Sequence, residues 1–343
     1  MGMCKSSKVA VALLLMAVLM AACTIPENEA FQADWQIYKR QFVTLDGRVV
    51  DSGNQGVSHS EGQGYGLLLA LAADDRETFA QIWEWTHANL QVREDRLFRW
   101  RRRPDTPSAG EDPNNASDGD ILIAWALLRA GERWQRVDYR EAALGILTDV
   151  RSKLVRRWRD LTVLLPGAAG FEHDGVLTVN LSYWVFPALT DFARVDGQTK
   201  TWKELADSGL TLLSKARFGR LGLPPDWLTL GDPLAPSEGF KPRFGYDAVR
   251  IPLYLVWGKE SSEMLRPFQS FWGAYGRFTP AWTNLKENCV DGEGAPAGMR
   301  SIKNLVQRAL HASAERFPEM EVGQDYYSSS LLLLSRLAGM EAL

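Results

Sequence analysis

Three carboxylic acids are candidate catalytic groups, because each lies in a short polar, glycine-containing segment directly before an apolar run. They are Glu61 in Ser60–Gly66, Asp118 in Ala116–Asp120 and Asp247 in Phe244–Asp247. A pair of carboxyl groups can supply a general acid and a general base, and hydrolysis of a glycosidic bond needs both. The four histidines show no metal-ligand spacing, and the sequence predicts no metal and no cofactor.

Glu61 is predicted to be the general acid. A carboxyl group held against apolar helices loses water, which raises its pKa and keeps it protonated. Ser58 lies three residues earlier, so a helix-capping role for Glu61 is the alternative. Glycines lower helix stability by about 1 kcal/mol each relative to alanine, and they are tolerated where backbones approach closely. Three of them follow at alternate positions: Gly62, Gly64 and Gly66.

Asp118 and Asp120 share one segment, and their spacing suggests different roles. Ser117 and Asp120 have the spacing of a capping box, which favours a structural role for Asp120. Asp118 would then lie in the first helical turn, where the helix dipole should keep it ionised. An ionised Asp118 could bind a sugar hydroxyl or stabilise positive charge in the ring, and a solvent-facing aspartate is the alternative.

Asp247 is predicted to be the base that activates water. It precedes a helix in which Pro252 comes early, where a missing N–H is tolerated. Arg250 lies three residues further on, and a simple ion pair between the two is the alternative. Arg250 is also a candidate substrate-binding residue.

Aromatic residues are abundant, with 13 Trp, 9 Tyr and 14 Phe. Their rings can stack on the apolar C–H faces of sugars, although each of them alone is more often a core residue. The candidates for substrate binding near the predicted acids are Tyr65, Trp100, Tyr183 and Tyr246.

Helical patterns dominate the chain, and strand alternation is rarely sustained. Two segments are amphipathic, Glu77–Leu90 and Tyr139–Trp158. Five others are apolar on nearly every side: Leu67–Ala72, Ile121–Leu128, Leu181–Ala188, Ala248–Trp257 and Ser330–Leu337. A helix that is apolar all round must be buried all round, so an inner ring inside an outer layer is predicted. The starts of the inner helices should gather polar groups at one end of an all-α barrel.

The first residues resemble an export signal. Lys5 and Lys8 precede an apolar stretch from Val9 to Met20, which is too short to span a bilayer comfortably. We expect residues 1–22 to be removed and residues 23–343 to form one catalytic domain, exported to the periplasm or beyond. The segment before Cys23 also resembles a lipoprotein processing site, which leaves lipid anchoring at Cys23 open.

Composition limits the other possible partners. The 343-residue chain is 45% hydrophobic, which suffices for a large core, and it carries a net charge of −3. An acidic protein repels phosphate backbones, so nucleic-acid binding is not expected. The basic run Arg99–Arg103 is predicted to be a solvated loop leading to Pro104.

The segments around Glu61, Asp118 and Asp247 resemble the hallmark segments of glycoside hydrolase family 8, most closely endoglucanases encoded beside bacterial cellulose synthases. The resemblance implies an (α/α)6 barrel, a toroid of six inner and six outer helices, that cleaves β-1,4-glucan with inversion. It assigns Glu61 as general acid, Asp247 as general base and Asp118 as the residue that binds the distorted sugar. Tyr183 matches a position that lines the cleft. We expect a monomer, with a possible association with the cellulose synthase machinery.

Inversion requires room for a water molecule, so the carboxyl groups of Glu61 and Asp247 should lie about 6.5–9.5 Å apart. Two alternatives stay open at this point. One is an endo-xylanase of the same family, and the other is a non-catalytic glucan-binding component of cellulose secretion.

Overall fold

The computed structural model describes residues 26–107, 110–311 and 316–343. The predicted signal segment, residues 1–22, and Cys23 lie outside these ranges. The described helices are α1 (Glu27–Phe42), α2 (Ser60–Ala72), α3 (Arg76–Asn89), α4 (Ser117–Trp134), α5 (Val137–Leu154), α6 (Phe186–Val195), α7 (Thr199–Lys215), α8 (Arg250–Trp257), α9 (Arg266–Gly273), α10 (Ala297–His311) and α11 (Tyr326–Ala342). None of them is long and apolar enough to cross a membrane.

The helices form two layers. Six of the described helices, α2, α4, α6, α8, α10 and α11, pack on one another in that order, and α11 packs back on α2 to close a ring. Helix α8 is buried along its whole length, and α11 is buried from Ser328 to Gly339. The remaining helices lie outside the ring and bury one face only, as α3 does with Phe79, Ile82 and Trp85. The predicted arrangement of an inner ring within an outer layer is therefore confirmed.

The inner helices begin at the same end of the ring. Arg250, the first residue of α8, reaches side chains at the start of both α2 and α4. Tyr327, at the start of α11, donates its hydroxyl to the backbone oxygen of Tyr246, just before α8. The polar segments that precede these helices therefore gather at one mouth of the barrel, as predicted.

Helices α2 and α4 approach each other closely through glycines. A Cβ atom at Gly64 would lie 2.6 Å from the Cβ atom of Leu122 on α4. A Cβ atom at Gly119 would lie 2.7 Å from the Cβ atom of Ser60 and 2.8 Å from the backbone nitrogen of Glu61. The absence of side chains at these positions thus sets how near Glu61 and Asp118 can come.

In the part of the chain that the structure describes, ten short strands of at most four residues interrupt the helical pattern. They are β1 (Ser58–His59), β2 (Arg101–Arg102), β3 (Val155–Trp158), β4 (Leu161–Leu164), β5 (Glu172–His173), β6 (Val176–Val179), β7 (Leu228–Leu230), β8 (Ala235–Pro236), β9 (Arg243–Phe244) and β10 (Thr283–Asn284). Strands β5 to β8 form an antiparallel sheet, and the other strands pair as β1–β2, β3–β4 and β9–β10.

Three predictions about local structure are wrong. The end of the predicted Tyr139–Trp158 helix is strand β3, which turns at Arg159 in the left-handed region (φ 52°) and pairs with β4. The predicted Leu181–Ala188 helix is split into a 3₁₀ turn and the start of α6, where Pro187 lacks the N–H that a continuing helix needs. The basic run is no free loop, because Arg101 and Arg102 form β2.

Arg99, in the same run, is buried, and its Nη1 lies 2.8 Å from Glu111. Antiparallel pairing of β2 with β1 places Arg101 opposite His59, two residues before Glu61. The basic run therefore belongs to the frame that holds the start of α2.

Candidate active site

Arg250 lies at the centre of the polar mouth and contacts all three predicted acids. Its side chain is 3% exposed. Its Nη1 contacts Glu61 and lies 3.2 Å from Oδ2 of Asp118, and its Nη2 lies 3.0 Å from Oδ1 of Asp247. The structure thus brings together three acids that are far apart in the chain, each from the start of a different inner helix.

Glu61 is the second residue of α2, and its side chain is 21% exposed at the cleft. The capping alternative is wrong, because α2 has no side-chain cap and the Ser58 hydroxyl donates instead to the backbone oxygen of Val49. The Tyr65 hydroxyl donates a hydrogen bond of 3.1 Å to Oε1 of Glu61. The surroundings of Glu61 are thus more polar than the apolar helices that the sequence suggested.

Asp118 is the second residue of α4 and is almost completely buried. Its Oδ1 accepts a hydrogen bond of 2.8 Å from the N–H of Gly119. Burial nevertheless raises the pKa of Asp118 to about 7. The loss of water thus acts against the favourable helix end, which the sequence predicted would keep this carboxyl group ionised.

Asp120 is structural, as predicted, but it is not part of a capping box. Its two oxygens accept hydrogen bonds from the N–H of Phe98 at 2.8 Å and from the Asn115 amide at 2.6 Å. Complete burial raises its pKa to about 8. Asp120 thus ties the loop before α4 to the helix.

Asp247 lies between β9 and α8, three residues before Arg250. Desolvation and, after it, the negative charge of Asp226 raise the pKa of Asp247 to about 7. A hydrogen bond from the Asn180 side chain acts in the opposite direction and lowers the pKa of Asp247. A carboxylate with a pKa near neutrality can accept a proton from water far better than an ordinary aspartate, since its basicity matches the working pH.

A cleft of about 940 Å³ opens at Glu61 and Asp247, and Asp118 is not part of its lining. Its lining includes His59, Glu61, Tyr246, Asp247, Arg250 and Tyr327. A second cavity of about 940 Å³ lies at the opposite mouth of the barrel, around Trp125 and Trp257. That second cavity contains none of the predicted acids, so the first cleft is the candidate active site.

The predicted aromatic residues take different positions. Tyr246 is 43% exposed and lines the cleft. Tyr183 is half-buried, with the Arg250 guanidinium 5.7 Å from its ring centre, and burial raises its pKa well above the usual value. Asp118 and Asp247 contribute to that shift through their charges, so Tyr183 lies within the field of both acids.

One aromatic prediction is wrong, and a second stays a prediction. The ring of Tyr65 is fully buried, so no sugar can stack on it, and its hydroxyl instead contacts Glu61 and lies 3.2 Å from Arg250. Trp100 lies beside the cleft, with its ring 6.1 Å from that of His59 and the Arg101 guanidinium 4.0 Å from its ring centre. Trp100 is half-buried, and its role as a sugar-binding residue stays a prediction.

Two residues of the site were not singled out by sequence reasoning. The Ser182 hydroxyl accepts a hydrogen bond of 3.0 Å from Nη2 of Arg250 and donates one of 2.7 Å to Asn180. Asp226 lies beneath the segment that carries Asp247, and its partners Arg243, Gly245 and Ala248 come 17 to 22 residues later. No local sequence pattern marks a residue whose partners are that distant.

A helical barrel with a carboxylate-rich cleft and an exposed tyrosine has the layout of a polysaccharide-cleaving hydrolase. The family model "Glycosyl hydrolases family 8" matches residues 1–341. A probable endoglucanase from Novacetimonas hansenii is 38% identical over 325 residues, covering 92% of this chain and 93% of that protein. An endoglucanase from Cellulomonas uda is 38% identical over 86% of this chain and 82% of its own length.

Solved structures agree with the sequence comparisons. The endo-beta-1,4-glucanase CMCax from Acetobacter xylinum is 38% identical, with a TM-score of 0.86 over 92% of this chain and 99% of that one. The chain belongs to glycoside hydrolase family 8. It is therefore an enzyme that cleaves glycosidic bonds, and its fold is the (α/α)6 barrel of that family.

Proposed function

We propose that this enzyme is an endo-β-1,4-glucanase that hydrolyses its substrate with inversion, using Glu61, Asp118 and Asp247. The observation that carries the proposal is the convergence of the three acids on Arg250, which lines one cleft together with Glu61 and Asp247. The relatives that are 38% identical over most of the chain carry the name endoglucanase, which supports a glucan as substrate.

In the proposed reaction, Glu61 gives a proton to the departing glycosidic oxygen. Asp247 takes a proton from a water molecule, and that water attacks the anomeric carbon from the opposite face of the ring. Asp118 binds the sugar whose anomeric carbon is attacked and helps to hold it in a distorted conformation. Tyr246 offers its exposed ring to a neighbouring sugar.

The contact between Glu61 and Arg250 has a mechanistic consequence. A guanidinium attracts a charged carboxylate, whereas proton donation needs a carboxylic acid. We therefore propose that the incoming glucan takes the place of Arg250 beside Glu61, while Arg250 keeps its contacts with Asp118 and Asp247. Binding of the glucan would then be coupled to protonation of Glu61.

The test uses Glu61→Gln and Asp247→Asn, each assayed on carboxymethyl cellulose with circular dichroism as a check on folding. Asp75→Asn is a matched control, because Asp75 is also paired with a cation, Lys39, but lies at the other end of α2. Both site variants should lose at least about 10³-fold in kcat/KM, while the control keeps its activity. Near-normal turnover by either folded site variant would defeat the assignment of that residue.

Xylan is the second candidate substrate. A reducing-end-xylose releasing exo-oligoxylanase shares the fold at a TM-score of 0.76, but at 20% identity this likeness supports the fold alone. The higher identity to endoglucanases therefore favours glucan. Parallel assays on xylan and carboxymethyl cellulose decide between the two, and a higher kcat/KM on xylan would reverse the order.

We further propose that the enzyme is exported and serves bacterial cellulose production. The charged and apolar pattern of residues 1–22 supports export, and the likeness of the site motifs to endoglucanases encoded beside cellulose synthases supports the role. Mass spectrometry of the mature N-terminus tests cleavage before Cys23 and the presence of lipid on it. Unchanged cellulose yield after deletion of the gene would contradict the proposed role.

A further inference from the structure

Asp226 is a buried carboxylate, 3% exposed, that lies outside the cleft lining and has no part in the reaction described above. It precedes β7, and its own N–H donates to the backbone oxygen of Arg243 at 2.7 Å. All of its side-chain hydrogen bonds go to a single short segment, residues 243–248. That segment carries both Tyr246 and Asp247.

The hydrogen bonds of Asp226 enclose these two residues. Its Oδ1 accepts from the N–H groups of Gly245 and Ala248, both at 2.9 Å, which flank Tyr246 and Asp247 on either side. One oxygen therefore fixes the backbone before and after the proposed base. Two buried N–H groups that share one charged acceptor form strong hydrogen bonds, so the segment has little freedom to move.

The second oxygen acts on the neighbouring sugar-binding residue. Oδ2 of Asp226 accepts a hydrogen bond of 2.8 Å from Nε of Arg243. The Arg243 guanidinium in turn lies 5.0 Å from the ring centre of Tyr246, in cation–π contact. A single carboxylate thus supports the base through the backbone and the exposed tyrosine through an arginine.

We propose that Asp226 is a positioning residue that holds Asp247 and Tyr246 in their working geometry. This inference rests on the proposed role of Asp247 as the general base. A further effect follows from charge, because the negative charge of Asp226 raises the pKa of Asp247 whereas Arg243 lowers it. Asp226 and Arg243 therefore act on the basicity of Asp247 in opposite directions.

Several other groups face Asp247, and the test holds them constant. They are Arg250 from α8, Asp118 from α4, Tyr327 from α11, and Tyr183 and Asn180 from the segment before α6. Because none of these is altered, a change in the pH profile after substitution at Asp226 or Arg243 reports on this pair.

The test measures kcat/KM against pH for Asp226→Asn and Arg243→Gln. In Asp226→Asn, loss of the negative charge should lower the pKa of Asp247 and move the acidic limb of the profile to lower pH by about half a pH unit or more. In Arg243→Gln, loss of the positive charge should move the same limb to higher pH. Asp226→Ala also loses the acceptor for both N–H groups, and its kcat should fall by about 10²-fold.

Asp75→Asn serves as the control, because it breaks a comparable network remote from the cleft and should leave the profile in place. If both substitutions leave the acidic limb unmoved, or move it in the same direction, the positioning role is overturned. Asp247→Asn is run alongside to separate the two proposals. If that variant keeps its activity, the base assignment fails; if it is inactive while the limb is unmoved, only the inference about Asp226 fails.

Discussion

The close approach of α2 and α4 at Gly119 leads to a quantitative prediction. In Gly119→Ala the new Cβ atom would lie 2.7 Å from the Cβ atom of Ser60 and 2.8 Å from the nitrogen of Glu61. Ordinary contacts between such atoms are 3.4–4 Å. The start of α2 must therefore move about 1 Å away from α4. This movement takes Glu61 further from Asp118. A displacement of this size can reduce turnover by about 10²-fold.

The energetic cost follows from the same geometry. Adding an atom to a well-packed contact lowers the free energy of unfolding by about 1–3 kcal/mol. Replacing a helical glycine by alanine raises it by up to about 1 kcal/mol. Gly145→Ala is the matched control, because Gly145 is also helical and buried, but the three atoms nearest to its Cβ would all belong to the flexible side chain of Arg96. The gain in helix propensity is common to both variants, so their unfolding free energies should differ by about 1–3 kcal/mol.

The assay combines urea denaturation with kcat/KM on a soluble cello-oligosaccharide. Gly119→Ala should be less stable than Gly145→Ala and about 10²-fold slower, while Gly145→Ala keeps its activity. If the two variants have equal stability and both turn over at the normal rate, the close approach of α2 and α4 does not position Glu61.

Three further outcomes are expected. Arg250→Lys should lose more than about 10²-fold in kcat/KM, because a lysine point charge cannot hold Asp118 and Asp247 with two separate nitrogens as the guanidinium does; circular dichroism checks folding. Since Asp247 must be ionised to act as base and its pKa is about 7, kcat/KM should rise with pH through neutrality, and a profile flat from pH 5 to 8 would contradict this. Tyr246→Ala should raise KM by about tenfold with little change in kcat, as measured by steady-state kinetics.

The sequence was sufficient to predict the layers and the acids for physical reasons. Helices that are apolar on every side must lie inside others, which predicts the inner ring without any knowledge of its contacts. Glu61, Asp118 and Asp247 each stand in a polar segment where such a helix begins. Because the inner helices begin at one end, these acids had to meet there.

The remaining features depend on contacts that the local sequence does not encode. Strands of two to four residues show no usable alternation, so the β5–β8 sheet was missed. Tyr65 lies one helical turn from Glu61, but the spacing does not show whether its ring faces the cleft or the core. Asp226 binds residues that lie 17 to 22 positions later, and such partners are found only in the folded chain.

The stereochemistry of the first product tests the proposed reaction most directly. Proton NMR during hydrolysis of a cello-oligosaccharide distinguishes the α-anomer from the β-anomer before the two interconvert. If Glu61 donates the proton while Asp247 activates water on the opposite face, the new reducing end must appear first as the α-anomer. Initial formation of the β-anomer would contradict inversion, and with it the roles assigned to both carboxyl groups.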